Sequence, residues 1–251
     1  MSWLSRDRKS VLILTLSTVL FLSVLPLYSP PVQAEWVGDK IFNLFRRQPK
    51  PGRPSGRGRG GGGRDESCVP SNSQPLTALV PKDNLGTTVS AYPTLWFYLP
   101  LGHSETITKA RFVLFDQNQR LVLDQKIVLP DAPGIVSVKL PETKPPLAVG
   151  KRYNWFFQVL CDEQERSRNP WVSGWVERVE ASSELVRQLE TLPESEQYTA
   201  YLDHGISQDV LTQLALHRSV HAEAWMSLLD YFELEGVADA PVTQLNPSIL
   251  D

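Results

Sequence analysis

The chain is poor in the residues that carry most enzyme and metal chemistry: 251 residues include two Cys, two Met and four His. Two thiols are too few for a four-thiolate zinc site or a disulfide-dense scaffold, and no Cys-x-x-Cys is present for redox exchange. No Gly-x-Ser-x-Gly occurs, so Asp203-His204 has no nucleophile elbow to serve. The run Gly60-Gly61-Gly62-Gly63 lacks a following Lys-Ser/Thr and a preceding strand pattern, which excludes a phosphate loop. His217 and His221 stand four apart, as two metal ligands on one helix face would, but Glu223 falls on another face and a surface or capping pair is expected. Asp162, Glu163 and Glu165 stand beside Arg166 and Arg168 and read as a solvated loop rather than a calcium site. The residues yield no catalytic set, no cofactor site and no metal site.

What is present begins with an address. Arg6, Arg8 and Lys9 precede an apolar run over residues 11–27, followed by Pro30, Pro31 and Val32-Gln33-Ala34. This is the charged, apolar, small-residue order of a secretory signal, with cleavage expected between Ala34 and Glu35. The alternative is an uncleaved anchor, since the run nearly reaches the ~18 to 20 residues of a spanning helix. In both cases the remainder lies outside the cytoplasm, in the periplasm, the cell envelope or the medium. No Cys follows the apolar run closely, which argues against a lipoprotein.

Export changes how the charge is read. The formal net charge of −3 hides a basic neck, residues 35–66 with eight basic and four acidic residues, joined to a body, residues 67–251, with 14 basic and 23 acidic. An acidic body disfavours nucleic acid as its partner. The neck carries Arg46, Arg47, Lys50, Arg53, Arg57, Arg59 and Arg64 among Pro and Gly, a composition that buries little and reads as a flexible tether. It is expected to make at most weak contact with anionic membrane or envelope polymers. At its start Val37, Ile41, Leu44 and Phe45 share one helical face. That short amphipathic segment reads as an interfacial anchor, a docking helix, a piece packed on the body, or a disordered stretch.

The body reads as strands first and helices second. Seven β-like runs, 76–80, 94–99, 111–115, 121–129, 135–140, 153–161 and 172–179, are separated by Pro, Gly, Asn and Asp. Spacing of this kind predicts an antiparallel β-sandwich over residues 67–180. Tyr153, Trp155, Phe157, Val159 and Cys161 share parity and should face the core, whereas Phe156 and Leu160 break the pattern, so their face is expected to be covered, by the downstream helices. Leu147, Gly150 and Tyr153 are spaced as a tyrosine corner, in which the phenol reaches back to the backbone near Leu147. This resembles immunoglobulin-like and fibronectin type III domains and speaks to fold alone. Cys68 opens the body and Cys161 ends its longest strand. A disulfide between them is expected in an oxidising compartment, with a redox-active thiol or a nucleophile at Cys161 as the rivals.

From residue 181 the period becomes helical: Leu185, Leu189 and Leu192; Tyr198, Tyr201 and Leu202; Val210, Leu211 and Leu214; Trp225, Leu228, Leu229 and Phe232. A small helical bundle over residues 181–236, capped at Ser182 and Ser207 and packed on the sandwich, is predicted, with residues 237–251 a tail. The fold class is therefore mainly β with an α appendage. Among the aromatics, Trp171 follows Asn169-Pro170 in a predicted loop and is the one singled out as a ligand contact.

The strings Leu76-Thr-Ala-Leu-Val-Pro81, Gly86-Thr87-Thr88, Tyr92-Pro-Thr-Leu-Trp-Phe-Tyr-Leu-Pro100, Pro133-Gly-Ile-Val-Ser-Val-Lys-Leu-Pro141, residues 147–155, Cys161-Asp162 and Gly174-Trp175-Val176-Glu177-Arg178-Val179 carry a resemblance. In this order, after Cys68, they resemble the exported cyanobacterial family called domain of unknown function 928. The family's Gly-Gly-Gly-Thr-Arg-Gly run is altered here, since Gly61 to Arg64 lacks the Thr and Asp65-Glu66-Ser67 replaces the Gly. The resemblance implies an exported protein without an assigned activity. Two functions are expected from the sequence: a non-catalytic envelope module binding an envelope protein or polysaccharide, or an enzyme acting on envelope polymer through carboxylates such as Asp162 or Glu163.

Overall fold

Thr94–Leu99 is apolar on both faces, and this sets the layering. Leu95, Phe97 and Leu99 point into one core and Trp96 and Tyr98 into another. A strand of this kind needs a second sheet on one side and something else on the other.

The computed structural model describes residues 32–48, 56–60, 68–69, 72–162, 164 and 166–245, and among them there are nine strands and five α-helices. The strands are β1 (Thr77–Ala78), β2 (Leu85–Thr88), β3 (Thr94–Leu99), β4 (Lys109–Asp116), β5 (Leu121–Val128), β6 (Gly134–Lys139), β7 (Lys151–Leu160), β8 (Trp171–Arg178) and β9 (Val242–Gln244). One sheet has the order β1-β3-β6-β9, the other β2-β8-β7-β4-β5. They face one another across a core in which Phe97 stacks on Phe157 at 4.4 Å and meets Trp155 edge-on at 5.5 Å. Trp155 sits opposite Gly174 on β8, where any Cβ would run into the indole. The prediction of a purely antiparallel sandwich needs correction, because β2 runs parallel to β8 and β9 parallel to β6.

The helices form a third layer. α1 (Val32–Phe45), α2 (Ser183–Thr191), α3 (Gln197–Asp203), α4 (Ser207–Leu216) and α5 (Ala222–Tyr231) follow the predicted stripes. Ile41, Leu44 and Phe45 of α1 join Leu202, Leu211, Trp225 and Leu228 over Trp96, Tyr98 and Ile135. Thus α1 packs on the body, and the helices cover the outer face of the four-stranded sheet, not the face of Phe156 and Leu160 where a cover was expected. Trp96 donates its indole N–H to Thr212 Oγ1 at 2.9 Å, so the ring is both packed and satisfied.

Two segments expected to be unstructured contribute backbone pairs. In the neck, Arg57 exchanges N–H···O bonds with Ser173 at 2.9 Å each way, while Ala78 donates to Gly58 and Gly60 donates to Leu76. Residues 56–60 thereby join the edges of both sheets. The tail supplies β9, and Leu245 behind it enters the sandwich core. Backbone pairing needs no side-chain pattern, which is why composition did not reveal either segment. Residues 1–31 lie outside the described ones; Ala34 and Glu35 fall within α1.

The free edge of β2 is closed by the first turn of α4. Thr87 N–H donates to Ser207 Oγ, Ser207 N–H to Thr87 Oγ1, Val89 N–H to Asp209 Oδ2 and Gln208 Nε2 to Thr94 O, all between 2.6 and 3.1 Å. Ser207, predicted as a helix cap, instead turns its hydroxyl to the strand; Ser182 caps α2 through Leu185 N–H. An edge occupied in this way offers no template for another chain. Burial pushes the Asp209 carboxyl up to about 6, against hydrogen bonds from Thr88 and from Val89 N–H that pull it down. Burial, with the Asp209 charge adding to it, pushes the Tyr201 phenol to about 12.

Cys68 and Cys161 form a disulfide across 93 residues, with their Cα atoms 6.1 Å apart. In the chain-entropy picture, replacing both by Ser lowers stability by about 4 to 5 kcal/mol, read by denaturant unfolding; equal stability of the variant would remove the bridge as a major stabiliser. The Asp209 contribution has the opposite sense to an ordinary salt-bridged carboxylate. A folded value raised above 3.8 to about 6 makes stability greatest below pH 4 and lowers it as pH rises through 6. Asp209→Asn is expected to flatten this slope, seen as an unfolding midpoint that no longer falls between pH 4 and 6.

Candidate functional site

The two ends of β7 are built differently. At its start Gly150, at φ 72°, makes the turn, and Tyr153 Oη accepts the N–H of Ala148 at 2.9 Å. Leu147 is buried beside it, and Arg178 donates to the Leu147 carbonyl at 2.6 Å. The Tyr153 hydroxyl and the Arg178 guanidinium are thus engaged in holding this turn.

At the other end Asn169, itself buried, staples the β7–β8 connection. Its Oδ1 accepts the N–H groups of Cys161 and Asp162 at 2.8 Å, and its Nδ2 donates to Asp162 O at 2.9 Å. Pro170 O accepts Val159 N–H at 3.0 Å. The chain is thus fixed just before Trp171, which opens β8 as a strand residue and does not lie in the loop predicted for it. Asp162 accepts Gln164 N–H and lies 3.7 Å from Arg168, while Glu163 is outside the described residues.

The strand register sets Trp171 opposite Gln158, Phe156 opposite Val113, and Gln158 opposite Arg111 on the outer face of the five-stranded sheet. Phe115, Phe156 and Trp171 follow one another across three strands, with ring centroids 6.1 and 6.2 Å apart. With Arg111, Val113 and Gln158 they line an open trough of about 370 Å³. The Arg57 guanidinium lies over the Trp171 ring at 5.0 Å, a cation–π contact that fixes the indole. Arg111 grips Asp124 through two N–H···O bonds, and this pairing holds the Asp124 carboxyl below its usual range.

The lining has flat rings, an amide and guanidinium donors but no nucleophile, and its attendant carboxylate is clamped by Arg111. Such a surface can stack and hydrogen-bond a ligand. His217 and His221 are not brought together: His217 Nδ1 meets Gln213 O at 3.1 Å, while His221 packs on Tyr198 at 4.7 Å and faces Glu196. Among the described residues no three His, Cys, Asp or Glu side chains gather as metal ligands would.

Of the trough, the sequence singled out Trp171 alone. Phe156 was marked as breaking the inward pattern of β7, and the same parity on β4, with Arg111, Val113 and Phe115 opposite Ala110, Phe112 and Leu114, held the rest of the signal. Arg57 had no local signal at all.

A family model covers residues 59–242, most of the chain and both layers of strands. The chain belongs to the family Domain of Unknown Function (DUF928). The DUF928 match begins at Arg59 and ends at Val242, so it takes in Arg59, which pairs with β1, and the first residue of β9, but leaves out Arg57, which pairs with β8. No match to a curated protein was found. The Cys68–Cys161 bridge of this DUF928 chain fits an oxidising environment. Among the described residues no helix is long and apolar enough to cross a membrane.

Proposed function

We propose that this protein is an exported, non-catalytic module that binds a polysaccharide of the cell envelope, with the trough on the five-stranded sheet as its ligand face. The observation that carries this reading is the row Phe115, Phe156 and Trp171 on the sheet face that the helices leave uncovered. Rings set across strands present apolar surface to the C–H faces of sugars, and Arg111 and Gln158 beside them supply hydrogen bonds to hydroxyls. Export by a signal cleaved before Glu35 would place the module in the periplasm or outer layers, a reading supported by the disulfide.

The frame fits an immunoglobulin-like sandwich. The order β1-β3-β6 facing β8-β7-β4-β5 matches strands A-B-E facing G-F-C-C′, with Tyr153 near the start of the strand in the F position, while β9, last in the chain and parallel to β6, has no counterpart in that scheme. In such frames binding comes from the surface groups and not from the fold.

Affinity electrophoresis through gels cast with hydroxyethyl cellulose, xylan or dextran tests the reading. Retardation by at least one polymer is expected, and Trp171→Ala should weaken it about tenfold, or about 1.4 kcal/mol. The unfolding midpoint should stay within a few degrees, because the ring is only partly buried. Equal retardation of the variant, or none by any of the polymers with the wild type, would contradict the proposal.

A further inference from the structure

A second cleft, of about 620 Å³, lies between the end of α1, residues 58–59, the β1–β2 connection and the end of α5. We infer that it binds an acidic sugar unit of a polysaccharide, holding the carboxylate or sulfate with Arg46, Arg59 and Lys82 and the ring against Phe42 and Tyr231. The inference stands on observations separate from the trough.

The first is charge. Arg46 and Arg59 from the basic neck meet Lys82 from the acidic body here, three cations with Glu233 as the one carboxylate among the described lining residues. Glu233 lies on the rim, paired with Arg59 at 2.9 Å, while the same guanidinium donates to Phe232 O at 3.0 Å. Arg59 is therefore fixed in place, whereas Arg46 and Lys82 extend from exposed positions. One anchored and two exposed cations around one space suit an anion.

The second is shape. Phe42 meets Tyr231 edge-on at 5.9 Å, and the Arg46 guanidinium lies over Phe42 at 5.2 Å. Tyr231 is tied down by its hydroxyl, which donates to Phe45 O at 2.8 Å, so the aromatic wall is rigid. Rings beside cations match a pyranose bearing an acidic group, with one apolar face and one charged edge; a bare phosphate would use only the cations.

The third is the rim. Glu233, at φ 57°, is the left-handed residue that ends α5, with its N–H donating to Asp230 O and Leu234 N–H to Leu229 O, and Asn84, at 55°, closes a turn onto Pro81 O; both line the cleft, so its rim is held by backbone bonds. Arg57 and Arg59, two residues apart, reach the trough and the cleft respectively.

The test measures binding of the purified chain to polygalacturonate, to its fully methyl-esterified form, and to phosphatidylglycerol vesicles. Polygalacturonate is expected to bind about tenfold or more tighter than the ester, and Arg46→Gln with Lys82→Gln to remove that advantage. Trp171→Ala should leave the preference for the acid form intact, so failure of the trough reading and failure of this one are separately visible. Both cations are exposed, and an unchanged unfolding midpoint of the double variant certifies its fold. Equal affinity for acid and ester, or undiminished polygalacturonate binding by the double variant, would overturn the inference. Vesicle binding that needs Arg46 and Lys82, without polygalacturonate binding, would also overturn it and assign the cleft to lipid headgroups.

Discussion

The burial of β3 on both faces is the constraint from which the rest follows. Leu95, Phe97 and Leu99 require the five-stranded sheet, and Trp96 and Tyr98 require a cover on the other side. Each such side chain gains about 1.5 to 3 kcal/mol by leaving water, so Trp96 and Tyr98 uncovered would forfeit a large share of a stability of about 5 to 15 kcal/mol. The helical layer is therefore part of the same folding unit as the sandwich, and the indole of Trp96 bonded to Thr212 gives it a fixed seat. α1 belongs to that cover as well, which draws the start of the neck into the body's core.

The same constraint decides which surface is left. One sheet is covered by helices, the β2 edge by α4, and the first half of β8 by the ordered stretch of neck. Among the described residues, what stays open is the outer face of β4, β7 and β8, where the aromatic row lies, and the edge strand β5, whose Asp124 and Lys126 discourage strand addition. The neck contributes to both proposed sites because backbone pairing at Arg57 and Arg59 carries it along the sandwich edge.

Much of this was legible in the residues. The alternation of Tyr153, Trp155, Phe157 and Val159, the spacing from Leu147 to Tyr153, the Cys pair and the helical stripes each report a local period that side chains impose. What was not legible depends on non-local pairing. β2 is Leu-Gly-Thr-Thr and β9 Val-Thr-Gln, too short and too polar to alternate visibly, and each is a strand only because a parallel neighbour accepts it. The target of the helices was also misjudged. Phe156 and Trp96 look equally in need of cover along the sequence, and only the topology shows that the helices go to Trp96. Of the trough, the polarity break at Phe156 was visible; its alignment with Phe115 and Trp171 required the register of three strands.

The account turns on the uncovered sheet face being the one that meets ligand, and indole N–H resonances report this directly. Titrating the isotope-labelled chain with the neutral polymer that retards it best, the Trp171 indole and the amides of β4, β7 and β8 should shift. The indoles of Trp96, Trp155 and Trp225, all buried, should stay in place. Shifts confined to the helical layer, or to the Tyr153 end of β7, would contradict the account.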